Sequence, residues 1–124
     1  MTFLNKLYFV ESRTCTGEEV AYVIRLDAEH VIYQAHFPGE PITPGVCILQ
    51  IGLELLSDAV GETLEISRVK NVKFLSILRP EDGPVRVRIH KIGKEEDLVT
   101  AQIEFSRADT PVAKMSLLCQ TVAR

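Results

Sequence analysis

The segment HFPGEPITPG, which begins at His36, concentrates the residue types that could carry acid–base chemistry. Three prolines and two glycines follow the histidine within nine residues. Proline fixes φ and biases the residue before it toward extended backbone, so the loop is expected to be stiff. Because imidazole titrates near neutral pH, a histidine held in such a loop can take up and return a proton. The spacing therefore indicates His36 as a candidate general base.

A helix is predicted directly after this loop, over Val46–Val60. Thr43 is a suitable N-cap, Pro44 a suitable first helical residue and Gly61 a suitable C-terminal stop. Apolar side chains leave the first half of this helix without a solvent face, which is typical of a helix buried inside a protein. With about 15 residues it is shorter than the roughly 20 that cross a bilayer.

Polar side chains interrupt this apolar helix along one face. Gln50 and Glu54 are four residues apart, which places them on the same side, and Ser57 and Asp58 continue the stripe. A polar stripe on a buried helix faces solvent through a gap, a partner, or a site. Gln50 and Glu54 therefore join His36 as candidate site residues.

The remaining segments predict an antiparallel sheet around the helix, and in Val85–His90 and Leu98–Phe105 apolar and polar residues alternate with a period of two. Strands are predicted over Val20–Leu26, Thr63–Ile77, Val85–His90, Leu98–Phe105 and Val112–Val122, with a bulge near Lys70–Asn71. Phe3–Arg13 is predicted as a short helix or strand that leads into the sheet, and turns are predicted at Cys15–Glu19 and Gly93–Asp97.

These elements predict an α+β fold in which one long buried central helix is wrapped by five to six antiparallel strands. At 124 residues the chain is expected to form a single domain over residues 1–124. A sheet of this size leaves one flank of the helix open, so a second copy of the chain is expected to close it.

Composition excludes several classes of function. The net charge of −3 gives no electrostatic basis for binding nucleic acid. The N-terminal segment lacks the continuous apolar run of a signal peptide, and no segment is predicted to cross a membrane. Cys15, Cys47 and Cys119 are far apart and lack the spacing of metal ligands. We therefore expect reduced thiols in a cytoplasmic protein without a metal site.

The segment His36–Val46 closely resembles the HFPGxPxxPGV signature of the hotdog-fold 3-hydroxyacyl-ACP dehydratases of bacterial type II fatty acid synthesis, where ACP is the acyl carrier protein. Val69–Phe74 and the following Arg79–Gly83 are similar to the strand and turn after that family's central helix. The resemblance implies a hotdog fold, a homodimer or trimer of dimers with active sites at the dimer interface, and no cofactor.

The resemblance also implies residue roles. His36 would remove the C2 proton of a (3R)-hydroxyacyl thioester, and the backbone N–H of Gly45 would polarise the thioester carbonyl, giving trans-2-enoyl-ACP and water. A helix N-terminus supports the second role, because its N–H donors and positive dipole end favour developing negative charge. Neighbouring loop positions are the candidate substrate-binding residues: Phe37, Pro38, Gly39, Pro44 and Val46.

One position departs from the family pattern. The family has a Glu or Asp fourteen residues after the histidine, for the leaving 3-hydroxyl, and this chain has Gln50 there. An amide can donate a hydrogen bond or hold a water, but it cannot protonate a leaving hydroxide, and loss of a general acid typically costs about 10²–10⁴-fold in rate. Glu54 lies one turn further, about 5.4 Å along the axis, and is the candidate substitute.

Three functions therefore remain open, and a pure acyl-carrier-binding module comes fourth because nothing in the sequence points to it. The chain is an active dehydratase, a catalytically impaired hotdog subunit whose partner supplies the carboxylate, or an acyl-thioesterase of the same fold. The substrate partner is acyl-ACP or acyl-CoA in each case. Because ACP is acidic, docking needs a local basic patch, for which the candidates are Arg68, Lys70, Lys73 and Arg79.

Overall fold

The computed structural model describes residues 2–122, and six strands of this part of the chain form one antiparallel sheet. The strands are β1 (Tyr8–Thr16), β2 (Glu19–Leu26), β3 (Leu64–Phe74), β4 (Val85–Glu95), β5 (Leu98–Arg107) and β6 (Thr110–Thr121). Their order across the sheet is β1-β2-β4-β5-β6-β3. The helices are α1 (Ile32–Ala35) and α2 (Gly45–Val60), and a 3₁₀ turn spans Pro80–Asp82. The predicted α+β architecture, with one main helix against a five- to six-stranded antiparallel sheet, is confirmed.

The central helix packs through one face onto the inner side of the sheet. Its buried residues follow the helical period: Cys47, Ile48, Ile51, Gly52, Leu55 and Leu56. At Gly52 an added Cβ would lie 3.1 Å from the sulfur of Met115 and 3.4 Å from a methyl of Ile103. The glycine therefore allows helix and sheet to approach closely.

The ends of α2 show which capping predictions hold. Gly61 ends the helix in the left-handed conformation, at φ 76°, as predicted. The prediction of Thr43 as N-cap is wrong, because Pro44 occupies that position and no side chain caps the helix. Thr43 is instead buried, and its Oγ1 lies 2.8 Å from the hydroxyl of Tyr33. The Thr43 hydroxyl therefore pairs with Tyr33 inside the protein and not with the N-terminus of α2.

The helix is not enclosed on all sides within one chain. Val46 is 73% exposed, and Leu49 and Leu53 are only partly buried. The single chain therefore leaves one flank of this apolar helix open, as predicted for a sheet of this size. The physical reason is that the sheet covers one side of the helix and leaves the flank beside β3 open.

β3 lies at one edge of the sheet formed by the described residues. Its pairing with β6 shifts register between Ile66 and Arg68 and again between Val69 and Asn71, which confirms the bulge predicted near Lys70. Val69, Val72 and Phe74 pair with the buried β6 residues Leu117, Met115 and Ala113 but are themselves 36–51% exposed. The inner side of this edge strand is therefore apolar and uncovered.

Two turns are shorter than predicted. β1 continues to Thr16 and pairs there with Glu19, so the first hairpin turn consists of Gly17 and Glu18. β4 continues through the charged segment to Glu95, which pairs with Leu98. Both hairpins keep their cross-strand hydrogen bonds into the polar ends of the strands, where charged side chains remain solvated. β3, in contrast, ends at Phe74, before the predicted Ile77.

Candidate active site

His36 follows α1 directly, and the last turn of that short helix fixes its ring. The backbone N–H of His36 donates to the carbonyl of Ile32 at 3.0 Å, and ring atom Nδ1 lies 3.3 Å from the same oxygen. A carbonyl oxygen can only accept, so Nδ1 carries the hydrogen in this contact. In the neutral ring Nε2 then holds the unprotonated lone pair, which is the state a base requires.

The loop after His36 is closed by its own backbone. The N–H of Ile42 donates to the carbonyl of His36 at 2.9 Å, and Phe37 and Glu40 exchange two backbone hydrogen bonds. Gly39 has φ 77°, a conformation that favours glycine. The carbonyl of His36 and the start of α2 are thereby held on one compact loop.

A second turn supports this loop from outside. Arg79 pairs with Glu40 at 3.0 Å, and the N–H of Thr43 donates to the carbonyl of Leu78 at 2.8 Å. Arg107 donates from its two terminal nitrogens to the carbonyls of Arg79 and Gly83, both at 2.7 Å. Burial lowers the pKa of Arg107. Arg107, at the end of β5, therefore holds the turn between Arg79 and Gly83, and this turn in turn contacts the loop that follows His36.

Gly45 is the first residue of α2. The N–H groups of Cys47 and Ile48 donate to the carbonyl of Pro44, so the N–H of Gly45 precedes the first hydrogen bond inside the helix. A Cβ at Gly45 would lie 2.8 Å from the ring of Phe74. A side chain at position 45 would therefore push this ring aside. Phe37, Val46 and Phe74 are each more than half exposed, so the surroundings of the site are apolar and open.

Glu54 is the centre of a hydrogen-bond cluster. Its carboxylate accepts from the backbone N–H of Phe3 at 2.8 Å, from that of Leu4 at 2.9 Å and from the Tyr8 hydroxyl at 3.0 Å. Gln50 donates to it from Nε2 at 2.9 Å. Burial raises the pKa of Tyr8 above its usual range, and the charge of Glu54 and the hydrogen bond between Tyr8 and Glu54 raise it further.

Asp58 forms a parallel pair one turn further along the helix. The hydroxyl of Tyr22 donates to its Oδ2 at 2.6 Å, and Arg13 lies 3.3 Å from the same oxygen. Burial and the hydrogen bond to Asp58 raise the pKa of Tyr22 to about 12. The predicted polar stripe is therefore bound largely by residues of the N-terminal segment, β1 and β2.

A cavity of about 580 Å³ lies along the helix beside the start of β3. Gln50 and Glu54 line it together with Leu4, Leu53 and Ile66, whereas His36 is not among its lining residues. The structure thus brings Gln50 and Glu54 together at one place, and His36 and Gly45 at the two ends of one loop. The candidate residues form two groups within the single chain.

Sequence reasoning missed the residues that support both groups. Tyr8 is separated from Glu54 by 46 positions, and Arg107 from Arg79 by 28. Neither pair has a spacing that a local pattern could reveal. The signal for Tyr33 was also weak, since an aromatic residue before a loop is more often part of the core.

The predicted basic patch is divided between two places. Arg79 is paired with Glu40 beside the histidine loop. Arg68, Lys70 and Lys73 are exposed on β3, where Lys73 pairs in register with Lys114 of β6. The cations of β3 and β6 therefore form a separate group from Arg79.

Within residues 2–122, no group of three or more His, Cys, Asp or Glu side chains could hold a metal ion. Neither helix in this range has the length and apolar character that crossing a bilayer demands. Cys15, Cys47 and Cys119 are unbridged within the described part of the chain. Burial raises the pKa of the Cys47 thiol and raises that of Cys119 to about 11.

The chain is similar in sequence to known dehydratases. The family model of the ApeI-like dehydratases, described as ApeI dehydratase, matches residues 12–116. The 3-hydroxyacyl-(acyl-carrier-protein) dehydratase FabZ of Lactiplantibacillus plantarum is 30% identical over 100 residues, covering 75% of this chain and 67% of the relative. FabZ of Syntrophobacter fumaroxidans is 32% identical over 75 residues, covering 54% and 51%. The matched region therefore spans about two thirds to one half of these relatives.

Solved structures share the fold. The dehydratase heterocomplex ApeI:P from Xenorhabdus doucetiae superposes with a TM-score of 0.72 at 18% identity, covering 90% of this chain and 96% of that one. A hypothetical thioesterase protein with coenzyme A from Streptococcus pneumoniae TIGR4 gives 0.68 at 7% identity, covering 94% and 87%. At these identities the likeness shows the fold alone. The match over residues 12–116, on a six-stranded sheet with one main helix, shows that this chain is a hotdog-fold member of the ApeI-like dehydratase family.

Proposed function

We propose that the chain is a dehydratase subunit that removes water from (3R)-hydroxyacyl thioesters of ACP, with His36 as the base that takes the C2 proton. The hydrogen bond between Nδ1 and the Ile32 carbonyl carries this proposal, because it leaves Nε2 as the basic nitrogen. The product would be the trans-2-enoyl thioester.

The start of α2 supports the second part of the reaction. Loss of the C2 proton places negative charge on the thioester carbonyl oxygen, and the N–H of Gly45 is a fixed donor at a positive helix end. The apolar rings of Phe37 and Phe74 are more than half exposed, so a substrate or partner subunit that covers them would also exclude water from this oxygen. Pro38, Gly39, Pro44 and Val46 complete the candidate substrate-binding set beside them.

The departing hydroxide needs a proton, and this chain has no carboxyl group at position 50. Glu54 is held by two backbone N–H groups, the Tyr8 hydroxyl and Gln50, so its oxygens already serve structural hydrogen bonds. This favours a site that is completed by a partner subunit over one in which Glu54 acts as the acid.

The uncovered inner side of β3 supports such a partner. Val69, Val72 and Phe74 are exposed there, beside the exposed Val46 of α2. Pairing β3 with the β3 of another subunit would continue the sheet and cover these side chains. We propose an assembly of this kind, either a homodimer with slow turnover or a heteromer whose second hotdog subunit has a carboxylate. The ApeI:P heterocomplex, as a neighbour in fold, supports the second form.

We also propose that ACP docks on the exposed cations of the outer sheet face. Lys73 and Lys114 are adjacent across β3 and β6, and Arg68 precedes Lys73 on β3. Thioester hydrolysis is the less supported alternative. It needs a carboxylate to activate water, and Glu54 and Asp58 are bound to Tyr8 and Tyr22.

The first test measures enoyl-thioester formation from a short 3-hydroxyacyl-ACP by the wild type and by His36→Ala. His90→Ala is the matched control, since His90 pairs with Glu104 on β4 and β5. We expect turnover to be lost only in His36→Ala. If the wild type is inactive alone, Gln50→Glu or a second hotdog subunit with a carboxylate should produce turnover that again requires His36.

Turnover that survives His36→Ala would contradict the proposal. So would the absence of turnover from the wild type, from Gln50→Glu and from the two-subunit mixture. Release of a free thiol without enoyl formation would instead identify a thioesterase.

A further inference from the structure

Two buried hydroxyl groups meet across the base of the loop that contains His36. The hydroxyl of Tyr33 lies 2.8 Å from Oγ1 of Thr43, and each residue is only 4% exposed. Burial raises the pKa of Tyr33 to about 12, so its hydroxyl keeps the proton at neutral pH. His36 follows Tyr33 by three residues, and Gly45 follows two residues after the other end of the bond. The bond therefore joins the chain just before the candidate base to the chain just before the candidate N–H donor.

Tyr33 belongs to the short helix that orients the imidazole. In α1, the carbonyl of Ile32 accepts from the backbone N–H of His36 at 3.0 Å and lies 3.3 Å from its Nδ1. A helix of four residues has little stability of its own, because the first turn of a helix is costly to form. The buried side chain of α1 is that of Tyr33, so its contact with the loop holds this turn in place.

Thr43 connects α1 to a second support. Its backbone N–H donates to the carbonyl of Leu78 at 2.8 Å, directly before the turn that Arg107 holds. Its side chain bonds Tyr33 on the other side. Thr43 is thus fixed from two directions, two residues before α2 begins at Gly45.

We propose that the hydrogen bond between Tyr33 and Thr43 is a positioning contact for the site. It sets the distance between the imidazole of His36 and the N–H of Gly45. This inference rests on the proposed function for the reaction, in which base and donor act on the same thioester. Both hydroxyls are buried, so the pair acts through the loop and not by contact with substrate.

The first measurement is the rate of enoyl-thioester formation from a short 3-hydroxyacyl-ACP, with the subunit composition that turns over. Tyr33→Phe and Thr43→Val each remove one of the two hydroxyls and nearly keep the shape of the side chain. We expect kcat to fall by about tenfold to a hundredfold in each, with KM nearly unchanged, because the reacting groups are displaced and not removed. Thr43→Ser keeps the hydroxyl and should keep kcat.

The double variant Tyr33→Phe/Thr43→Val separates position from stability. Each single variant leaves one buried hydroxyl without its partner, which lowers Tm, whereas the double variant has apolar groups on both sides and should regain most of that Tm. We expect its kcat to remain as low as in the single variants, because the hydrogen bond is absent from all three. Recovery of kcat together with Tm would overturn the inference. If the single variants do not fold, the double variant carries the test.

A second measurement needs no turnover. Nitrogen NMR of the imidazole ring reports which nitrogen carries the hydrogen, and His36→Ala identifies the signals of His36 among those of the three histidines. In the wild type we expect the hydrogen on Nδ1, which faces the Ile32 carbonyl. In Tyr33→Phe and Thr43→Val, where α1 is no longer bound to the loop, the hydrogen should be shared between Nδ1 and Nε2.

Tyr22→Phe is the matched control, because it removes the hydroxyl of another buried tyrosine, which donates to Asp58. It should lower Tm and leave both kcat and the tautomer of His36 unchanged. An equal loss of kcat in Tyr22→Phe would overturn the inference, because loss of any buried hydroxyl would then have the same effect.

Unchanged kcat in both Tyr33→Phe and Thr43→Val would also overturn this inference, and it would leave the proposed dehydration intact. If no combination of subunits turns over, the proposed function fails and the imidazole signals decide alone. A shared hydrogen in the two variants would then uphold the positioning of His36, and an unchanged tautomer would refute it.

Discussion

The glycine at the start of α2 has a steric reason as well as a chemical one. The ring of Phe74 comes within 2.8 Å of the point where a Cβ of Gly45 would be placed. The same contact keeps the N–H of this residue close to an apolar ring. The space for a side chain at position 45 is thus limited by a ring on an edge strand 29 positions later.

Gly45→Ala is expected to lower the free energy of unfolding by about 1 kcal/mol, because the half-exposed ring of Phe74 must move away from the new methyl group. Phe74→Ala opens the space, so the double variant should be more stable than the two separate losses predict. Urea denaturation of the four proteins measures this coupling, and Val46→Ala, at an exposed neighbour, is the control. Additive losses would show that the ring does not oppose the new methyl group.

At the scale of elements, the 3₁₀ turn is tied to the loop of His36 through Arg107. This guanidinium bonds two carbonyls at opposite ends of the turn, and Arg79 extends from the turn to Glu40. A planar group with two parallel donors fits this geometry, and an ammonium does not. The turn and the loop are therefore expected to respond together when the clamp is weakened.

Arg107→Lys should lower the free energy of unfolding by about 1–3 kcal/mol, since it breaks charge-assisted hydrogen bonds and leaves a carbonyl without its donor. Turnover should fall by a larger factor than Arg86→Lys produces, because Arg86 is exposed on β4 and is not placed at the loop. Denaturant titration and initial rates check the two effects. A variant of Arg107 that loses stability but keeps its full rate would separate the clamp from the site.

The sequence predicted the elements that rest on local patterns and failed where distant contacts decide. The loop from His36 to Gly45 and the stop at Gly61 follow from proline and glycine chemistry close to each residue. The displaced N-cap at Thr43 and the cluster on Glu54 depend on Tyr33 and Tyr8, which pair with them only after the chain has folded. A sequence motif identifies the candidate residues, whereas the residues that hydrogen-bond to them, such as Tyr8, belong to no motif.

At the scale of the whole molecule, the uncovered side of β3 defines where a second subunit would attach. Val69, Val72 and Phe74 point to the inner side, and Lys73 lies opposite Lys114 on the outer side of the same strand. Apolar side chains exposed along an edge strand favour association through that edge. The two sides of one strand thus differ in what they can contact.

Val72→Glu is expected to dissociate the assembly, because it places a charge among the apolar side chains that pairing would cover. Lys73→Glu changes charge on the adjacent outer position and should leave the assembly intact. Sedimentation velocity at several concentrations measures the change in mass. An unaltered mass for Val72→Glu would show that β3 does not form the contact between subunits. A monomer in both variants would show that any added negative charge on β3 dissociates the assembly, whichever side of the strand carries it.

The bond between Gln50 and Glu54 also bears on how such a protein could evolve. If position 50 held a glutamate, two carboxyl groups would lie about 3 Å apart where an amide now meets a carboxylate. Like charges at that separation repel, which favours a proton retained on one of the two groups. A retained proton is what a departing hydroxide needs. Glutamine and glutamate codons differ in one base, so under the proposed function a single point mutation would give this subunit an acid of its own. The Glu54 carboxylate, which now accepts from the backbone N–H groups of Phe3 and Leu4, would then favour the protonated form of that acid.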